Sequence, residues 1–252
     1  MNLLKDINPV TRLLGVMIFT SPLLFTLDWV SATVALVLIV VAAPLCGVGY
    51  GRLLKRGWPI FLAAPLAGIP MALYGKPGGE THFEFLLAHV TDNSLSLAGA
   101  ISLRVLAVGL PVVLLSVDVD PTDLGDGLAQ VLRLPAKFVL GTVAALRMLT
   151  LLRDDVEAMR SSRRSRGLAD TNRVRYWFSL AFGLLVMSLR RASKLATAME
   201  ARGFARSGHR TWARESRLVG RDFIVLAVCA LGAAVALGVA IYTGHFAFLG
   251  AL

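Results

Sequence analysis

Charged residues are scarce in this chain, 17% of 252 against 56% hydrophobic, where a soluble domain carries about a quarter. That shortage argues against a water-soluble globule and makes a bilayer the expected solvent. Cysteine is almost missing. Cys46 and Cys229 each lie in an apolar run with no second thiol or histidine at ligand spacing. Neither a disulfide framework nor a zinc site is indicated, and both read as small buried hydrophobes. The histidines His82, His89, His209 and His245 share no spacing; His82 and His89 fall in one polar loop, where solvation is the ordinary reading, so no metal is assigned. A Gly-x-x-x-x-Gly-Lys-Ser/Thr phosphate loop is missing, Lys76 standing in Gly75-Lys76-Pro77. Any ATP hydrolysis therefore belongs to other chains, and no catalytic residue or cofactor is assigned. The basic part of the chain lacks the interleaved aromatics and recognition motifs of nucleic-acid binders, which sets nucleic acid aside as a partner. No small-residue cleavage pattern follows Met1-Asn2-Leu3-Leu4-Lys5-Asp6, so the first apolar stretch reads as a retained membrane segment.

What the chain has is a net charge of +10, unevenly placed. Between Arg12 and Arg52 the only charged residue is Asp28, which divides a long apolar stretch into two spans joined by a tight turn. The first, Leu13 to Leu27, needs Val10 and a snorkelling Arg12 to reach about 20 residues; the second is Val30 to Val48. After Gly51-Arg52-Leu53-Leu54-Lys55-Arg56 a third runs from Gly57 to Tyr74, rich in Pro and Gly, which membrane helices tolerate. A polar loop, Gly75 to Asn93, precedes a fourth span, Leu95 to Val117, interrupted only by Arg104. The last runs from Phe223 to about Tyr242. Residues 118–221 hold 19 of the 26 basic residues against 10 acidic ones. Lys/Arg excess marks the cytoplasmic side, so this region and Arg52-Lys55-Arg56 are expected there, with Asp28, the 75–93 loop and the C-terminus outside. Trp29, Trp58, Trp177 and Trp212 all fall at apolar–polar boundaries, as interfacial anchors do.

The expectation is an all-α, polytopic helical membrane protein with about five transmembrane helices and a cytoplasmic helical coupling region, divided as 1–117, 118–221 and 222–252. Within 118–221, Asp120-Pro121-Thr122-Asp123 reads as the start of a short helix, with Pro in the first turn and acids at the positive dipole end. After Leu134-Pro135 a long amphipathic helix runs from Ala136 to Arg166. Its first half offers Phe138, Val139, Val143, Leu146, Leu149 and Leu152 on one apolar face. Its second half places Arg160, Arg163, Arg164 and Gly167 at i, i+3, i+4 and i+7, a self-repelling face that calls for a partner of opposite sign. It ends at Arg166-Gly167-Leu168, with glycine able to take the left-handed conformation and Leu168 able to pack back. A second helix, Met187 to Phe204, carries Arg190, Arg191 and Lys194 and ends in the same grammar at Ala201-Arg202-Gly203-Phe204. Ser193, Thr197 and Ala201 form a ridge of small residues on it, over which another helix can approach.

These residues resemble the transmembrane T component of energy-coupling factor transporters, the family of cobalt, biotin and thiamine-precursor importer subunits. The resemblance begins at Asn8-Pro9-Val10-Thr11-Arg12-Leu13, similar to an opening Asp-Pro-Arg-x-Lys-Leu segment with Asn and Thr departures. It continues through Asp120-Pro121-Thr122-Asp123-Leu124, Leu134-Pro135-Ala136-Lys137-Phe138 and Ala145-Leu146-Arg147-Met148, and is strongest at Ala198-Met199-Glu200-Ala201-Arg202-Gly203-Phe204. The family hallmark is two Ala-Arg-Gly motifs whose arginines dock into two ATPase subunits. Here the second is intact and the first reads Ser165-Arg166-Gly167, Ser keeping a small side chain. The resemblance implies docking by Ser165, Arg166, Gly167, Ala201, Arg202 and Gly203 onto two ATP-binding subunits, as a homo- or heterodimer. It implies a separate substrate-capturing membrane subunit, and a multi-pass, non-catalytic coupler of a vitamin or metal-ion importer in the plasma membrane. The alternative is a stand-alone secondary transporter or channel. Only Arg104 hints at the polar pathway this needs, and no span offers an acidic partner for it; a structural role against polar backbone or snorkelling is the ordinary reading.

Overall fold

The computed structural model describes residues 7–26, 28–75, 78, 81–85, 88–167, 173–204 and 211–244, without side-chain detail for 81–90. Leu27, Lys76, Leu168, His209 and His245 lie outside the described residues. The elements are α1 (Pro9–Leu24), α2 (Trp29–Leu45), α3 (Tyr50–Tyr74), β1 (Thr81–Phe85), β2 (Ala88–Thr91), α4 (Asp92–Leu115), α5 (Pro121–Gln130), α6 (Ala136–Ser165), α7 (Arg173–Ala201) and α8 (Gly220–Tyr242). They form two compact units, Met1–Val119 with Arg217–Leu252, and Asp120–Ser216.

The first unit is the membrane body. Three of its helices, α3, α4 and α8, are long and apolar enough to cross a bilayer, and the apolar α1 and α2 are shorter, at 16 and 17 residues. At 1.5 Å per residue these two reach roughly 25 Å, against a hydrocarbon core of about 30 Å. Their ends are capped locally: Asn8 Oδ1 accepts the Val10 amide at 3.0 Å, with Pro9 in the first turn, and Asp28 Oδ2 accepts that of Ser31 at 2.7 Å. α4 opens on a reciprocal box, Thr91 Oγ1 accepting from the Ser94 amide and Ser94 Oγ from the Thr91 amide, as this spacing of hydroxyl residues favours.

Small residues set the helix–helix distances. A Cβ on Gly68 of α3 would collide with Ser102 Oγ and lie 3.0 Å from the Ala98 carbonyl oxygen of α4, and one on Gly109 would lie 2.6 Å from Ile60. α3 and α4 therefore meet backbone to backbone, as small residues allow in lipid. α1 runs parallel to α8, with Gly15 against Cys229 and Phe19 against Gly232.

Several boundaries differ from expectation. α3 starts at Tyr50 rather than Gly57, so Arg52, Lys55 and Arg56 occupy its first two turns; no Pro or Gly interrupts Arg52 to Arg56, and long basic stems keep a helical start solvated at an interface. The 75–93 segment is not only loop. β1 and β2 pair antiparallel, Phe85 opposite Ala88 and Glu84 opposite His89, and the period-two pattern of Thr81-His82-Phe83-Glu84-Phe85 is a strand signature.

Arg104 has a defined role. Its Nε donates to the Leu23 carbonyl oxygen at 2.9 Å, and its Nη2 donates to the same oxygen and, at 2.7 Å, to Thr26 Oγ1. The α1–α2 turn thus sits beside the middle of α4, a dozen residues from that helix's start, with Thr26 and Asp28 only 2% and 3% exposed. Asp28, placed by sequence in the loop between the first two spans, lies in this turn and caps α2 by accepting the Ser31 amide. Non-helical backbone at membrane depth persists only where protein satisfies it, and Arg104 does so here. Arg104→Ala leaves the buried Leu23 carbonyl and Thr26 hydroxyl without this donor, at a cost of about 1–3 kcal/mol. The thermal midpoint in detergent should fall by roughly 5 °C, with Arg104→Lys recovering part of it. An unchanged or higher midpoint for Arg104→Ala contradicts this role.

Candidate functional site

The second unit is built on α5, α6 and α7. Asp120 caps α5, accepting the Thr122 amide at 2.7 Å, and hydrogen bonds from Thr122 hold its carboxyl below the usual carboxylate range. Gly125 lets α5 approach α6, where an added Cβ would collide with Val143 Cγ2. Gln130 acts as a surrogate backbone amide for the returning chain, its Nε2 donating to Arg214 O and its Oε1 accepting from the Ser216 amide, each at 2.8 Å.

α6 and α7 cross antiparallel, since Asp155 meets Arg191, Met159 meets Gly183 and Arg163 meets Ser179. The Asp155–Arg191 pair is bidentate, with oxygen–nitrogen distances of 2.6 and 3.1 Å, the strongest arrangement two such groups make. The basic face of α6 is only partly open. Arg163 donates to Ser179 Oγ and O at 2.7 and 2.9 Å and lies 5.9 Å from the Tyr176 ring, while Arg160 stacks 5.0 Å from Trp177. Two arginines of the face for which an opposite-sign partner is expected thus already meet aromatic rings and a serine of the same chain. An open depression of about 510 Å³ remains along α6, lined by Arg153, Val156, Glu157, Arg160, Ser161 and Arg164. With a single helix for its wall, it is a surface feature rather than a chamber for a small molecule.

α7 begins at Arg173, fourteen residues before the Met187 start expected from sequence. Tyr176, Ser179, Gly183 and Arg191 face α6, so the apolar side of α7 is turned away from it. Phe178 and Phe182 are 75% and 68% exposed, and Val174, Leu185 and Leu189 are exposed with them. The spacing of Val174, Phe178, Ala181, Leu185 and Leu189 carries this face in the sequence, but Arg173, Arg175 and Trp177 make the stretch look like a boundary.

Both Arg-Gly segments are helix ends closed by a left-handed glycine whose amide bonds a carbonyl three residues back. α6 ends at Ser165, Arg166 is its cap, and Gly167 has φ +69° with its amide on Arg164 O at 3.0 Å. α7 ends at Ala201. Gly203 has φ +74°, its amide donates to Glu200 O, and the Phe204 amide donates to Met199 O, both at 2.9 Å. That pair of bonds is the Schellman stop, for which glycine is favoured because a Cβ clashes in left-handed backbone. Because α6 and α7 are antiparallel, the two ends lie at opposite sides of the crossing. Among the described residues no side chain engages the guanidinium of Arg166 or Arg202, and both arginines are exposed. Each helix thus presents a fixed loop-back carrying one unengaged planar cation. Among the described residues no group of three His, Cys, Asp or Glu side chains is positioned to hold a metal.

The family described as cobalt transport protein, CbiQ, matches residues 1–212, which include both Arg-Gly ends. The chain belongs to this family. It is similar to relatives that bear the name energy-coupling factor transporter transmembrane protein EcfT. That of Brevibacillus brevis is 26% identical over 233 residues, covering 88% of each chain. That of Exiguobacterium sibiricum is 30% identical over 192 residues, 71% of this chain and 73% of its own, and that of Bacillus selenitireducens 27% identical over 249 residues, 90% and 89%. The chain is an integral, helical membrane component of an energy-coupling factor transporter.

The geometry of its second stop is open to a direct check. Gly203→Val costs about 1–2 kcal/mol locally through the Cβ clash, so amide hydrogen exchange at 203–204 should speed by about tenfold. Gly203→Asn should keep most of the protection, because Asn tolerates left-handed backbone. Equal protection in parent, Val and Asn forms contradicts the conformational requirement.

Proposed function

We propose that this subunit couples two ATP-binding subunits to a separate, substrate-capturing membrane subunit, and that the whole complex imports a vitamin or a metal ion across the plasma membrane. The observation that carries the reading is the pair of helix ends: two left-handed glycines, each aiming a preceding exposed arginine with no engagement among the described residues. A guanidinium offers a planar fork of donors matched to carboxylates and carbonyls. Two such ends, held at fixed separation by the bidentate Asp155–Arg191 pair and the Arg163–Ser179 bonds, suit a partner that itself comes in two copies or two like chains. Closure of an ATPase dimer displaces both seats together, and rigid helices carry the displacement.

Residues 118–221 form the coupling region in this reading, on the cytoplasmic side, because they hold most of the basic residues and Arg52, Lys55 and Arg56 agree with them. The free apolar side of α7, Val174 through Leu189, supplies the surface on which the capture subunit rests and rocks, while the ridge of Ser193, Thr197 and Ala201 allows close helix approach. Substrate choice then belongs to the capture subunit. Arg104, the one hint of a stand-alone transporter, is taken up by the Leu23 carbonyl and Thr26, so the secondary-transport reading gains no support from it.

Arg166→Glu combined with Arg202→Glu should leave the amount of membrane-inserted protein unchanged. Co-purification of ATP-binding chains should fall by at least tenfold, since a charge-assisted hydrogen bond contributes about 1.5–3 kcal/mol. Normal assembly and uptake in the double variant would remove the docking role from both residues.

A further inference from the structure

The chain passes out of the membrane unit after Val119 and re-enters it at Arg217. Both junctions are tied to the same turn of α1. At the exit, Arg12 Nη1 donates to the Val117 carbonyl oxygen at 3.1 Å. Asp118 follows with φ +55°, its carboxylate 3.3 Å from Arg56 of α3. At the re-entry, Asp222 is 1% exposed. Its Oδ2 accepts the Val219 amide at 2.6 Å and its Oδ1 the Asn8 amide at 2.9 Å, while Asn8 Nδ2 donates to Arg217 O at 3.5 Å. One carboxylate thus sits at the N-termini of both α1 and α8, where two helix dipoles present partial positive charge.

Asn8 and Arg12 are four residues apart and joined by the Arg12 amide donating to Asn8 O at 3.2 Å, which puts them on one face of one turn. A displacement of either junction is therefore delivered to the same helical turn. Without this arrangement, a pull on 117–119 would bend the end of α4 alone, and a pull on 217–219 would fray the start of α8 alone. With it, α1, α4 and α8 answer together.

We propose that the Asn8–Arg12 turn, closed by Asp222, is the clasp that joins the two junctions mechanically, and that Asn8, Arg12 and Asp222 are positioning residues for coupling. This rests on the coupling reading above, but its defining property, communication between two junctions separated by about 100 residues of chain, can be measured without reference to transport.

The experiment uses the assembled transporter complex with Asp222→Asn, a near-isosteric change that removes the charge at the two helix ends, and with Arg12→Gln. Amide hydrogen exchange is followed at 116–119 and at 219–222. Asp222→Asn should accelerate exchange by about tenfold at its own junction and by at least threefold at 116–119, which it does not touch. Arg12→Gln should show the reverse pattern. Uptake per ATP hydrolysed, at matched amounts of assembled complex, should fall at least threefold in each variant, and Arg12→Lys, which keeps a donor for Val117 O, should restore part of it. Acceleration confined to the altered junction overturns the clasp, and so does communicated exchange with unchanged uptake per ATP. If the parent complex shows no ATP-dependent uptake, the coupling reading fails instead, and the exchange comparison still decides whether the junctions are joined.

Discussion

In a hydrocarbon environment each helix end that lies away from water needs a donor or acceptor from the protein itself, and the membrane unit is organised around meeting that need across helices. Arg104 of α4 serves the Leu23 carbonyl in the last turn of α1, Arg12 of α1 serves the Val117 carbonyl beyond α4, Asp222 of α8 accepts the amides of the cap residues Asn8 and Val219 before α1 and α8, and Ser94 of α4 donates to Ala72 O of α3. Each bond is worth on the order of 1 kcal/mol net, more where one group is ionised. Their larger effect is to couple helices whose apolar faces alone would slide. Glycine contacts set the distances, and these end-to-side bonds set the registers.

The second unit follows another logic. α7 lays its polar side on α6 and leaves its apolar side open, the reverse of how a helix in a soluble domain is used. The specific polar contacts fix the crossing, so the geometry of the two Arg-Gly ends does not depend on what later covers the apolar side. Such a frame suits a subunit whose two ends must stay rigid while its exposed face meets a moving neighbour.

Much of this was legible in the sequence where the determinants are local. The stops at Gly167 and Gly203, the start of α5 at Asp120-Pro121, the end of α8 at Tyr242 and the restart at Pro135 all rest on residues within a turn of one another. The contacts that define the site and the membrane body are not local. Arg104 meets Leu23 across 81 positions and Asn8 meets Asp222 across 214, and nothing in either neighbourhood announces the other. The early start of α3 was hidden by its own basic residues, which read as a loop. The first half of α7 was hidden because Arg173, Arg175 and Trp177 look like the edge of a span. The contacts that Arg160 and Arg163 make within the chain were out of sight for the same reason, since Tyr176, Trp177 and Ser179 lie on that unread half-helix.

The central claim is that two helix ends on one rigid frame meet the ATP-binding subunits. Site-directed crosslinking addresses it most directly: single cysteines at Ser165→Cys and Ala201→Cys, both exposed positions beside the Arg-Gly ends, in complexes isolated from membranes, with Ser96→Cys on the exposed start of α4 as the reference. With the native Cys46 and Cys229 changed to Ala in all three, the account predicts that a short bifunctional thiol–amine reagent joins each of the first two, and not the third, to an ATP-binding chain. Crosslinking at Ser165→Cys and Ala201→Cys no greater than at Ser96→Cys would contradict it.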